Sequence, residues 1–217
     1  MTKQIVIAAG CMLALAMVII TSSCASQPSE PTPPASSPGY PKHEFTTTKV
    51  EPKPGESVAK GSASWVRYTM DDLVEKSDTI LIGKVVDIFP SRKVDRPPWE
   101  VITDVVIEVE RYLYGQPQSV YIAVMVPGGR VGEIVVLVDS QPVFNLGEEV
   151  ALFLYRLQTE VATPPPDGFE RAEYYMVTGS MQGKFGYNNE GNMVNLEGAW
   201  VAVSEVQQKI ASIRGAE

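Results

Sequence analysis

The chain has almost no histidine or cysteine. Its 217 residues include two cysteines, Cys11 and Cys24, and one histidine, His43. Cys–His and Ser–His catalysis both need an imidazole beside the nucleophile, and zinc sites draw on the same two residue types. With neither residue after position 43, those chemistries are excluded for the rest of the chain, and no metal or other cofactor is expected. No thiol pair is present there either. A disulfide cannot support that region even in an oxidising compartment, so its stability must come from core burial. A domain of about 150 residues can bury enough surface for that.

Basic runs are also missing. The chain carries 18 Lys+Arg against 26 Asp+Glu, a net charge of −8. Removing residues 1–23 takes away one charged residue, Lys3, leaving 17 basic and 26 acidic residues and a net charge of −9. Such a surface has no basic stripe to neutralise phosphates, so nucleic acid is not expected as a partner. It gives no electrostatic attraction to anionic lipid either. No repeat of fixed period is present, which excludes solenoids and propellers.

The N-terminus is apolar. Lys3 precedes an unbroken run of apolar and small residues, Ile5 to Ile20. That run is shorter than the roughly 20 residues of a spanning helix and fits the hydrophobic part of a secretory signal. Thr21, Ser22 and Ser23 then lead into Cys24. This resembles a bacterial lipoprotein signal, in which the cysteine is lipidated and becomes the new N-terminus. Thr21 stands where that pattern usually has leucine. The resemblance implies lipid attachment at Cys24 and a domain held on the cell membrane, facing outside the cytoplasm. Ordinary cleavage after Ala25, giving a secreted protein, and an uncleaved anchor are the alternatives.

Residues 25–62 are rich in Pro, Ser, Thr and Gly and poor in large apolar side chains. They cannot repay the entropy of ordering, so a disordered tether is expected, with His43 a solvated residue inside it. The division is then 1–24 signal, 25–62 tether and 63–217 domain.

Within the domain, Thr69 is placed to cap a short helix with Asp71 and Asp72 in its first turn. Strands are expected at 79–89, 101–113, 120–126, 133–138, 149–157, 174–178, 182–187 and 193–196. Gly83 inside the first of these marks a bulge or a close backbone approach. Residues 92–99, with Pro97 and Pro98, read as a loop. Ser204 is placed to cap a final helix whose apolar face is Val206, Ile210 and Ile213. The expected fold is mainly β: a small, OB-like, partly open barrel with a short N-terminal helix and a C-terminal helix.

Four stretches carry a wider resemblance: SDTILIGKVV (77–86), VIEVERYLYG (106–115), FNLGEEVALFLYR (144–156) and QGKF (182–185). Together they resemble a group of uncharacterised exported bacterial domains. More distantly they are similar to the netrin-like domains of tissue metalloprotease inhibitors, which implies a five-stranded OB-type barrel over residues 65–190. Those inhibitors ligate the protease zinc through an N-terminal cysteine set in disulfides. Cys24 lies far from the domain and no disulfide exists here, so the barrel carries over and the inhibition does not.

Chemical motifs are sparse. Gly179-Ser180-Met181-Gln182-Gly183-Lys184 has phosphate-loop glycines, but it is one residue short, and Phe185 stands where Ser or Thr must meet magnesium. A turn is expected. Asn188 to Asn192 reads as a hairpin turn rather than a calcium loop. On the 101–113 strand, Thr103, Val105, Ile107 and Val109 share one face, and Asp104, Glu108 and Glu110 are expected along the other, solvated one. Among the aromatic residues, Trp99, Tyr174 and Tyr175 are the candidates for a partner surface. The leading functional expectation is a non-catalytic binding or scaffold lipoprotein contacting an envelope protein or glycan. The alternative is a hydrolase of envelope polysaccharide working through Asp104, Glu108, Glu110 and Asp139.

Overall fold

The structure is a computed structural model. It describes residues 42–61, 66–96, 99–115, 119–157, 164–188, 190–195 and 198–215. The signal segment and Cys24 lie outside this range.

The barrel is built from strands that are apolar on both faces or that alternate cleanly. They are β2 (Thr79–Ile88), β4 (Trp99–Tyr114), β5 (Tyr121–Pro127), β8 (Glu149–Arg156) and β9 (Tyr174–Val177). β2 pairs antiparallel with both β4 and β8, and β4 pairs antiparallel with β5. β9 then runs parallel to β5 and antiparallel to β8, which closes the ring. The first strand flanked by the second and fourth, with the third parallel to the fifth, is the OB-type order. The expected barrel is therefore present, and it is closed.

Strand alternation sorts the side chains into three apolar layers. Val124 and Val126 of β5, Leu152 and Leu154 of β8, and Tyr175 of β9 fill the interior, closed over by Phe144. The opposite residues of β8, Ala151 and Phe153, face outward. They are covered by α1 (Met70–Lys76) and α2 (Val203–Arg214), through Leu73, Val74, Val206 and Ile210. The outward residues of β4 and β5, including Ile102, Val106, Ala123 and Met125, are covered by Leu157, Phe169 and Tyr174. β2 and β8 carry apolar residues on both faces because each face meets a core. Gly83 is where β2 and β4 approach most closely: a Cβ there would lie 2.5 Å from the Glu108 carbonyl oxygen, and the pairing register shifts beside it.

Thr69 caps α1 as the sequence indicates, in a reciprocal capping box with Asp72. The hydrogen bonds from the Thr69 hydroxyl and backbone hold the Asp72 carboxyl below its usual range. The other end of α1 is closed from a distance. The Arg214 guanidinium donates to the carbonyls of Val74, Glu75 and Ser77 and lies 5.0 Å from the centre of the Tyr114 ring. A cation at a helix C-terminus meets the negative end of the dipole.

Several expectations are corrected. Residues 92–99 are not simply a loop: β3 (Arg92–Arg96) pairs antiparallel with the start of β4. Ser204 does not cap α2. The helix begins two residues earlier than that cap implies, at Val203; its N-cap is Ala202, and no side chain bonds there. A 3-10 turn, Ser180–Gly183, precedes β10 (Lys184–Asn188). The largest correction concerns the tether. Residues 42–61 belong to the folded unit. β1 (Ser57–Gly61) runs parallel to β7 (Ile134–Val138), which pairs in turn with β6 (Gly129–Val131). Upstream, Thr46 to Thr48 zip against 144–146 through the backbone. His43 is not a solvated linker residue. Its backbone N–H and its ring both bond Asp87, whose side chain is 1% exposed, and its ring stacks on Phe89 with centroids 4.3 Å apart. Proline and serine dilute the apolar pattern here, but β7 and the 144–146 segment supply the backbone partners that no sequence window shows. Among the described residues, no helix is long and apolar enough to cross a membrane.

Candidate binding groove

The barrel sheet extends past β8 through three short strands: β10, β11 (Asn192–Val194) and β12 (Trp200–Ala202). Asn188 organises the turn between the first two. Its side-chain oxygen accepts from the N–H groups of Glu190 and Asn192. Register then fixes the faces. Phe185, Met193 and Val201 point to the helical side and join its core. Gly186, Val194 and Trp200 are aligned across the three strands and take the opposite face.

Among the described residues, no helix lies on that opposite face. Trp200 is 62% exposed, the joint highest exposure among large apolar residues that the structure describes. Gly186 leaves the β10 end of the row bare. A Cβ there would meet nothing nearer than the Val194 carbonyl oxygen at 3.9 Å. The result is an open groove of about 510 Å³ lined by residues 147–149 at the start of β8, residues 186–188 of β10, Val194 and Trp200. Glu148 is held in place: it pairs with Lys184 and accepts the Asn145 N–H at 3.0 Å. The Lys184 ammonium also sits 5.3 Å from the centre of the Phe144 ring. A carboxylate offers about four lone-pair sites, so Glu148 keeps acceptor capacity for a ligand. The Asn188 oxygen is engaged, and its NH₂ group makes no hydrogen bond among the described residues.

The residues singled out by sequence lie elsewhere. Tyr174 and Tyr175 are fully buried, so neither forms a partner surface. They sit in opposite layers, as neighbours on a strand must. Tyr175 faces the barrel interior, and its hydroxyl has no hydrogen-bond partner among the described residues. Tyr174 faces outward, and its hydroxyl donates to Asp104 at 2.6 Å. Trp99 opens β4 opposite Arg96, and its side chain lies outside the described residues.

The carboxylate row is also different from the expectation. Asp104 is 0% exposed rather than solvated. Its second oxygen receives the Arg92 Nε at 2.7 Å, and Arg92 reaches on to the Pro164 carbonyl and the Tyr174 hydroxyl. Burial pushes the Asp104 carboxyl up, against Arg92 and Tyr174, which both favour the charged form. Burial works to lower the Arg92 guanidinium, but bonding and charge pairing with Asp104 hold it above its usual value. Glu108 accepts from the Tyr121 hydroxyl, Glu110 is exposed, and Asp139 lies in the turn after β7. Asp104 and Glu108 are four residues apart on one strand, about 13 Å, and do not face each other across a cleft.

Gly179 adopts the left-handed conformation at φ +65° against the Tyr68 ring, consistent with the turn read from the sequence. Among the described residues, no three His, Cys, Asp or Glu side chains gather closely enough to hold a metal. Trp200 is the site residue that sequence reasoning missed. Its signal was a lone tryptophan just after Gly198, alternating with Val201, in a segment too short to show a period.

Set against known protein families and curated proteins, the chain matches none.

Proposed function

We propose that this protein is a lipid-anchored, non-catalytic binding module of the cell envelope. The observation that carries the reading is Trp200: a largely exposed indole on a hydrogen-bonded strand, at the wall of a groove with oriented polar groups. Exposed aromatic side chains with nearby polar groups are the usual anchors of recognition surfaces. The barrel supports this reading as a rigid platform and does not itself specify a function. The anchor rests on the Cys24 signal, and the polar, proline-rich residues that follow supply a spacer.

Two measurements test the reading. Cys24→Ser should abolish incorporation of labelled lipid precursor and release the protein from membranes; continued membrane association would count against the anchor. Capture of envelope components by the full-length protein should depend on Trp200. Equal capture by Trp200→Ala would remove the groove from the function.

A further inference from the structure

We propose that the ligand of the Trp200 groove is a neutral saccharide. This rests on the reading that the groove is the binding site, and it names the chemistry the site selects. Three features carry it.

The first is the pairing of a flat wall with a bare floor. The indole stands on β12, and the row beside it is Val194 and Gly186, with open space above the glycine. A pyranose ring has an apolar C–H face that stacks on an aromatic ring, and the indole face carries the negative side of its quadrupole toward those C–H groups. The missing side chain at Gly186 lets a neighbouring ring of the same chain lie against the sheet.

The second is hydrogen-bonding character. The groove offers an acceptor in Glu148 and a donor in the Asn188 NH₂. A cation would use the carboxylate alone and an anion the amide alone. Hydroxyl groups donate and accept, and a sugar ring presents several of them to engage both. The Glu148 charge is already met by Lys184. The next carboxylate, Glu149, also lines the groove and adds a second acceptor. An anionic polymer is further disfavoured by the chain's excess of 26 acidic over 18 basic residues.

The third is size. Eight residues line the groove, against the 20–30 a side of a typical protein–protein interface. Its volume of about 510 Å³ falls in the range of small-ligand sites.

The test uses the full-length protein in detergent micelles. Binding is measured by saturation-transfer NMR and calorimetry to neutral hexasaccharides of glucose and of N-acetylglucosamine, to solubilised envelope polysaccharide, and to polylysine and a sulfated polysaccharide as charged controls. At least one neutral saccharide should bind. Trp200→Ala should weaken it tenfold or more. Asn188→Asp keeps the oxygen that organises the turn but removes the NH₂ donor, and should weaken it several-fold. Gly186→Val should block it. Both Trp200→Ala and Asn188→Asp should keep the thermal midpoint within a few degrees, since neither alters buried packing. No neutral saccharide binding, binding untouched by Trp200→Ala, or tighter Trp200-dependent binding of a charged polymer would each overturn the assignment. If saccharides fail while an envelope protein is still retained through Trp200, the saccharide assignment falls and the binding-module reading stands. If nothing depends on Trp200, both fall.

Discussion

The Tyr174 hydroxyl donates to the Asp104 carboxylate at 2.6 Å, from a strand two positions away around the barrel wall. Arg92 completes the group by bonding Asp104, the Tyr174 hydroxyl and the Pro164 carbonyl, so that β3, β4, β9 and the segment before residue 171 are joined at one buried carboxylate. Removing one partner of a buried ion pair strands the other charge.

Arg92→Met should therefore cost about 3 kcal/mol at neutral pH. Burial already raises the folded Asp104 carboxyl, and the variant removes the group that opposed this. The folded state then binds a proton more readily than the unfolded chain, so this contribution to stability falls as pH rises through the window above the unfolded value. The loss in Arg92→Met should shrink as pH drops toward and below the ordinary carboxylate range. Urea unfolding at pH 7 and pH 4 measures it, and an equal loss at both would assign the cost to packing rather than charge.

Truncation tests what residues 42–61 contribute to the folded unit. A chain beginning at residue 42 should unfold at the same midpoint as one carrying the upstream residues. A chain beginning at residue 63 loses the β1–β7 pairing and leaves Asp87 without the two bonds from His43. Each lost hydrogen bond to a buried charge is worth about 2 kcal/mol. The shorter chain should melt many degrees lower or fail to fold, as differential scanning calorimetry would show.

Asp72 gives α1 a pH dependence of the opposite sign to Asp104. Its folded carboxyl is held low by Thr69. The stability it contributes is present above the unfolded carboxylate range and is lost as pH falls through the folded value. Protection factors of the α1 amides, taken relative to the intrinsic exchange rate at each pH, should fall selectively on acidification, and Asp72→Asn should remove that fall. Thr69→Ala should cost about 1 kcal/mol through loss of the cap.

Tyr175→Phe should be neutral or stabilising by up to about 1 kcal/mol. The hydroxyl is buried without a partner among the described residues, so its removal lifts a desolvation cost and leaves the ring's packing unchanged. A loss above 1 kcal/mol in denaturant unfolding would show that the hydroxyl is satisfied in solution.

The sequence alone determined what is local. Apolar runs bounded by turn residues, with period-two alternation on β4, placed the barrel strands, Thr69 three residues before Asp72 marked the cap, and Gly83 marked the close approach of β2 and β4. Each depends on a residue and its near neighbours along the chain. The tertiary structure decided what lies over each face. Alternation shows that Asp104 and Val106 share a side of β4, but not that Phe169, Leu157 and Tyr174 fold back over that side and bury it. The same reason took Tyr174 and Tyr175 out of the surface and drew His43 onto Asp87. It also left Trp200 exposed, because β10, β11 and β12 extend past the barrel and the helices cover only one of their faces. A strand's sequence fixes which side chains point together. Whether they meet solvent or a core is set by elements far away in the chain.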